Sequence, residues 1–280
     1  MSAELTWVDG ALCDSLPLPD RGFAFGDGLF ETLLLIDGAA VLADYHRERL
    51  TAGLVRLHFP SLPFTLEDAL EQVAAAAPAG RAALRITATR GGGPRGYAPP
   101  VACTPRLVAQ LSPLPAATVG GAEPAVVGLS SVQWPLQPQL AGLKHLNRLE
   151  QVLAARECEH RGWDEAVMMN CQGEAISMVA GSLFALCQGR LLTPRLDQCG
   201  VAGTRRRAIM ERWAPVLGLA VVEVSLSVEA LTGAQEVFYC NSLQGLRPVG
   251  RLGERQWCDF SCARALADIA RDDLQGGPGR

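Results

Sequence analysis

Of the 25 lysines and arginines in this 280-residue chain, one is a lysine, Lys144, and every other is an arginine. A side-chain amine can attack a carbonyl carbon and form a Schiff base, whereas a guanidinium stays protonated and its nitrogens are poor nucleophiles. A composition that uses arginine wherever a generic positive charge serves therefore marks Lys144 as a candidate for covalent chemistry with a carbonyl compound. Composition alone equally allows a chance survivor on the surface.

The second candidate is GVAGTRRRAIMERW, residues 200–213, where glycines lead into a helix whose apolar face is Ile209, Trp213 and Val216. Arg205, Arg206 and Arg207 stand in its opening turn, against the positive end of the helix dipole, an arrangement that an anion would relieve. Backbone N–H groups point outward at a helix start, so a phosphate fits there; an ordinary solvated arginine face is the alternative. In GFAFGDGLFET, residues 22–32, Gly26 and Gly28 allow close backbone approach, either of a ligand or of a structural turn. The stretch TRGGGPRGYAPP, residues 89–100, carries Arg90, Arg95 and Tyr97, which serve as a carboxylate clamp or as a plain surface loop.

Other chemistries find less support. The four histidines show no HxxxH spacing, and neither a GxSxG elbow nor a Walker loop occurs, so no metal site is expected. Nine cysteines lie scattered without a CxxC pair and read as small buried apolar residues with reduced thiols. A net charge of -4, with no basic run beyond the three arginines, argues against a nucleic-acid partner and for a small-molecule one. No apolar stretch approaches the roughly 20 residues that span a bilayer. The opening MSAELTWVDG lacks the features of a signal peptide, which places the protein in the cytoplasm, away from membranes.

The elements that must position these residues mix helix and strand. FETLLLIDG and AAVLAD predict two strands around an Asp37-Gly38 turn. Apolar spacing predicts helices over Tyr45 to Leu57 and Leu66 to Ala76, and strands over Arg81 to Thr89 and Arg106 to Leu111. The Pro/Gly-rich stretch after Ser112 marks a boundary, giving an N-terminal α+β domain over 1–112, a linker over 113–124 and a second domain over 125–280. There the pattern predicts strands over Ala125 to Gln133, Ala166 to Asn170 and Leu183 to Leu186. Helices are expected near Asn147 to His160, with Leu149, Val152 and Leu153 on one face, from Thr204, and near Asp259 to Arg271. The tail GGPGR reads as disordered.

FGDGLFET, HRERL, RGYAPP, AGLKHLNRLEQVLA, TPRLDQCGVAG and EVFYCNS occur in the order found in fold-type IV pyridoxal-phosphate enzymes, and over Trp7 to Val249 the chain resembles the aminodeoxychorismate lyases most. The resemblance implies a mixed α/β fold of two domains: an N-terminal two-layer antiparallel sheet with helices, and a C-terminal pseudo-barrel with surrounding helices. It also implies a homodimer. It makes pyridoxal 5′-phosphate the cofactor, with Lys144 as its covalent anchor and catalytic base. Arg49, Gly203, Thr204, Arg205, Asn241 and Ser242 become its phosphate ligands, and Thr32 an aid to proton transfer. Arg95 and Tyr97 become contacts to substrate carboxylates. Arg47 reads as a surface charge, and Asn147 and Arg148 as residues that orient the helix after Lys144.

One position departs from the family pattern. Where relatives carry a glutamate that pairs with the protonated pyridine nitrogen, this chain has Ser177, and Ser182 replaces the usual asparagine. A serine can hydrogen-bond that nitrogen but cannot hold it protonated, so the cofactor should be a weaker electron sink. Glu174 replaces it only if the strand bulges, because an offset of three puts it on the opposite face. The expected reaction is elimination of pyruvate from 4-amino-4-deoxychorismate to leave 4-aminobenzoate, a step of folate biosynthesis that aromatisation assists. A branched-chain or D-amino-acid aminotransferase, and a non-catalytic relative, are the alternatives.

Overall fold

The computed structural model describes residues 4–13, 15–115 and 123–276; most of the expected linker, 116–122, and residues 277–280 of the tail lie outside them. The described chain divides into two units by its internal contacts. One holds the residues up to 115 together with Lys144–Asn147, and the other holds those from 123 onward apart from these four.

The first unit is built on a six-stranded antiparallel sheet of β1 (Leu5–Val8), β2 (Ala11–Leu12), β3 (Gly28–Ile36), β4 (Ala39–Ala40), β5 (Arg81–Thr89) and β6 (Arg106–Pro113), in the order β2-β1-β6-β5-β3-β4. Its helices are α1 (Arg21–Phe25), α2 (Ala43–Arg56) and α3 (Leu66–Ala76). The expected hairpin forms: Asp37 and Gly38 take φ of 49° and 80°, and Ile36 pairs with Ala39. Its second strand is shorter than AAVLAD suggests, because Leu42 turns at φ 56° and the chain enters α2. The start of α3 is fixed locally by a reciprocal cap between Thr65 and Asp68. It buries Leu66, Ala69 and Val73, one helical face.

The second unit is a curled nine-stranded sheet. Its strands are β7 (Ala125–Leu129), β8 (Glu165–Met169), β9 (Ala175–Met178), β10 (Ser182–Cys187), β11 (Arg190–Pro194), β12 (Val221–Val224), β13 (Glu236–Asn241), β14 (Gly245–Leu252) and β15 (Arg255–Gln256). They run β12-β11-β10-β13-β14-β7-β8-β9, with β15 on β14, and the curl brings β9 back against β10 and β11. Val127, Val167, Met178, Leu183, Tyr239 and Val249 fill a core common to these strands. The helices are α4 (Leu149–Arg161), α5 (Thr204–Ala208), α6 (Ala214–Val216), α7 (Val228–Thr232) and α8 (Ser261–Gly276). The implied mixed α/β architecture, an antiparallel sheet and a half-barrel, is the observed one.

Three details correct the sequence reading. Strand β7 stops at Leu129; Ser130 N still reaches Val167 O, but Ser130 Oγ and Ser131 N both donate to Glu157 as the chain leaves the sheet. The helix from Thr204 widens into a π-turn over Ile209–Trp213, so Ile209 and Trp213 are buried while Val216 is turned out to the surface. Cys158, Cys199, Cys240 and Cys262 are buried, but Cys171 and Cys258 are exposed.

Candidate active site

Lys144 is held by its backbone. Its carbonyl accepts from Phe30 N at 2.9 Å and Leu146 N donates to Gly28 O at 3.1 Å, so residues 144–146 lie antiparallel along the edge of β3 that β5 leaves open. The side chain is half-buried, with Nζ 4.3 Å from the centre of the Phe30 ring. Such an ammonium–ring contact is attractive without taking the amine's lone-pair chemistry away. Thr32 shares the Phe30 face of β3 by strand alternation and pairs in register with Arg85, whose guanidinium lies 4.2 Å over the same ring.

The glycines of FGDG serve this segment. A β-carbon on Gly26 would stand 2.4 Å from Asn147 Oδ1, and one on Gly28 would meet Leu146 Cδ1 at 2.7 Å. The motif is a seat for residues 146 and 147. Between the two glycines, Asp27 accepts from Arg21 Nε at 2.9 Å and from Arg90 Nε at 2.8 Å. Burial alone would raise its pKa, but the two guanidiniums hold it below the ordinary value.

Arg90 is therefore no clamp for a carboxylate: it is buried, and it also donates to the carbonyls of Leu57 and His58 just past α2. Arg21, which carries no sequence signal, reaches the loop instead and donates to Gly96 O at 3.0 Å and Tyr97 O at 2.7 Å. Arg95 and Tyr97 stay exposed, with the Tyr97 ring 5.5 Å from that of Phe25.

Arg49 meets Glu31 in a two-pronged pair, Nε to Oε1 at 2.7 Å and Nη2 to Oε2. His46 Nδ1 lies 2.6 Å from the same Oε2, and both Glu31 and His46 are 1% exposed. Burial pushes the Glu31 carboxyl up, but Arg49 and then His46 outweigh it and bring its pKa to about 2. Burial, with Arg49 and Lys144 adding to it against Glu31, holds His46 below its ordinary value. A neutral imidazole donating to a carboxylate that braces Arg49 follows. Arg47 lies at the surface, paired with Asp44 and Glu67.

In the second unit, α5 begins at Thr204 behind Gly203, with no side chain capping it. A β-carbon on Gly203 would stand 2.3 Å from Ser182 Oγ, so a side chain there would push that hydroxyl aside. The expected arginine field is absent. Arg205 is buried and donates to Asn241 O at 2.8 Å and Ser242 O at 3.2 Å. Arg206 donates to Thr193 Oγ1, Pro194 O and Glu223, and Arg207 pairs with Glu211. Arg205 thus fixes the turn after β13, where Asn241 Oδ1 accepts from the amides of Leu243 and Gln244. That turn brings Ser242 Oγ to 3.5 Å from Thr204 Oγ1. Uncapped amides, two hydroxyls and a glycine close against Ser182 form a cradle with the donors a phosphate monoester needs.

Ser177 lies on β9 opposite Met168 and accepts from Trp134 Nε1 at 3.0 Å. A bulge does occur between this pair and the Met169–Ala175 pair. It does not free Glu174, which accepts from Asn170 Nδ2 at 2.8 Å and from the Ser225 hydroxyl. Sequence reasoning overlooked Trp134, Glu31, His46 and Arg21; for His46 and Arg49 the HxxR spacing, one helical turn, was the available signal.

An antiparallel unit with a lysine segment laid along the open edge of β3, and a curled sheet with a glycine-led cradle, define a class. Residues 28–252 match the model of the amino-transferase class IV family, and the chain belongs to that family. It is 35% identical to an aminodeoxychorismate lyase of Vibrio harveyi over 87% of this chain and 89% of that one. The crystal structure of 4-amino-4-deoxychorismate lyase from Pseudomonas aeruginosa matches with a TM-score of 0.89 and 40% identity, covering 96% of this chain and 99% of that one. The branched-chain aminotransferase of Escherichia coli shares the fold at a TM-score of 0.84 and 20% identity, covering 98% of this chain and 94% of its own.

Proposed function

We propose that this protein is a pyridoxal 5′-phosphate-dependent lyase that converts 4-amino-4-deoxychorismate to 4-aminobenzoate and pyruvate. The observation that carries the reading is the end-to-end similarity, at 40% identity, to a solved enzyme of that name. The lyase of Vibrio harveyi supports it independently in sequence.

The residues present fit the cofactor. The Gly203–Thr204–Arg205 backbone and the hydroxyls of Thr204 and Ser242 would hold its phosphate, with Asn241 shaping the turn and Arg49 supplying charge. Lys144 would hold its aldehyde carbon covalently. When bound, the cofactor supplies an electron sink beside the substrate's amine. Once the substrate's amine has displaced it from the aldehyde carbon, the freed Lys144 Nζ would take the proton from substrate C4, the C3–O bond would break as the ring becomes aromatic, and the proton would pass to the methylene carbon of the departing enolpyruvyl group, giving pyruvate. Thr32, on the Phe30 face of β3, would relay or orient that proton. Arg95 and Tyr97 would bind the substrate's carboxylates from their exposed loop.

Two copies of the chain would work as a homodimer. The exposed apolar face of α4, with Leu149 75%, Val152 61% and Leu153 55% exposed, supports pairing with a second copy. The deciding experiment incubates purified, cofactor-loaded protein with 4-amino-4-deoxychorismate and follows 4-aminobenzoate by fluorescence and pyruvate by a coupled dehydrogenase. Equal release of both products is expected. An amino-acid-dependent conversion of the cofactor to its amine form, without pyruvate, would instead identify an aminotransferase.

A further inference from the structure

We propose that Trp134 is a positioning residue that turns the Ser177 hydroxyl into a hydrogen-bond donor and so keeps the cofactor's ring nitrogen unprotonated. This rests on the function proposed above and adds a residue and an electronic state to it.

An indole N–H can only donate, and a buried one must find an acceptor. Trp134 is buried, its backbone N bonded to Met169 O at 2.8 Å and its ring packed with Ala154, Met168, Ile176 and Cys199. Held this way, its Nε1 meets Ser177 Oγ at 3.0 Å. Among the described residues no carbonyl or side chain accepts the hydroxyl's own proton. Donation into an oxygen polarises it, making its proton a better donor and its remaining lone pair a poorer acceptor. An unprotonated pyridine nitrogen is an acceptor and suits this hydroxyl, whereas a pyridinium N–H is a second donor and does not. Trp134 thus reinforces what the loss of a carboxylate at position 177 begins. Glu174, bound to Asn170 and Ser225, is committed elsewhere.

The test loads the full-length protein with cofactor labelled with nitrogen-15 in the ring. Cofactor uptake is read by absorbance and by mass after borohydride reduction, and the ring nitrogen by NMR from pH 5 to 9. The wild type should show the unprotonated resonance at pH 7 and above, with its protonation midpoint near the acid end of this range. Trp134→Phe should raise the protonation midpoint by about one pH unit, a tenfold change, as expected when one neutral hydrogen bond is lost. Ser177→Glu should give the protonated resonance at pH 7. A wild-type resonance at the pyridinium position at pH 7 overturns the inference while leaving the lyase reading intact, and needs no variant to fold. An unchanged midpoint in folded Trp134→Phe removes Trp134 from the role. Absence of uptake by the wild type sinks both readings, and the reduction step distinguishes that case from the others.

Discussion

Glu31 holds Arg49 through both of its carboxylate oxygens while His46 bonds one of the same oxygens, and the carboxylate and imidazole are withdrawn from solvent. The three side chains thereby act as one hydrogen-bonded unit, and the charge of Lys144 helps keep its imidazole neutral. Stability should follow pH accordingly. His46 has a folded pKa below its ordinary value of 6.5, so the unfolded chain takes up that proton first and stability falls as pH drops below 6.5. Glu31, depressed from 4.5 to about 2, contributes stability that is full above 4.5 and lost as pH falls toward 2. Urea midpoints at pH 7.5, 6 and 4.5 should decrease in that order, and His46→Gln should flatten the first interval.

Breaking the pair should be more damaging than titrating it. Glu31→Ala leaves a mostly buried guanidinium without its carboxylate, and a loss of about 3–5 kcal/mol is expected. Chemical denaturation at pH 7.5 measures it; a change below about 1 kcal/mol would show that Arg49 finds another partner at little cost.

Gly26→Ala places a methyl group where Asn147 Oδ1 lies, at a backbone φ of 66°. The conformation alone costs about 1–2 kcal/mol, and the methyl must also push residues 144–147 off β3. Slower covalent uptake of cofactor, read by absorbance, should therefore accompany a lower melting temperature. Gly80→Ala, also at positive φ (85°) but with nothing near its β-carbon, should lose stability without losing uptake.

Arg205→Ala removes the two donors that fix the turn carrying Ser242. The phosphate cradle should loosen, weakening cofactor binding by tenfold or more, since hydrogen bonds from a charged group are each worth about 1.5–3 kcal/mol. Equilibrium dialysis with pyridoxal phosphate and with pyridoxal separates the effect: the difference between the two ligands should shrink in the variant.

Lys144→Ala should abolish the covalent complex and product release together. The fold should survive, because the pairing with Phe30 and Gly28 is made by backbone. Retained pyruvate release would remove Lys144 from the chemistry.

What the sequence determined by itself is what short-range physics determines. The capped helix Leu66–Ala76, the strand Arg81–Thr89 and the Asp37-Gly38 hairpin depend on φ preferences, caps and periodicity within a few residues, and they form where the pattern puts them. The singular amine was legible as chemistry because lysine and arginine differ in reactivity wherever they sit. The partners of buried charges were not. Arg205 and Arg90 read as anion binders from their neighbours in the chain, yet each is consumed by carbonyls or a carboxylate more than 30 residues away. Only the tertiary structure decided that Gly26 makes room for Asn147, that Glu31 braces Arg49 and that Trp134 reaches Ser177. A buried donor must find whichever acceptor packing brings to it, and packing is settled by contacts across the whole fold rather than by the residues on either side.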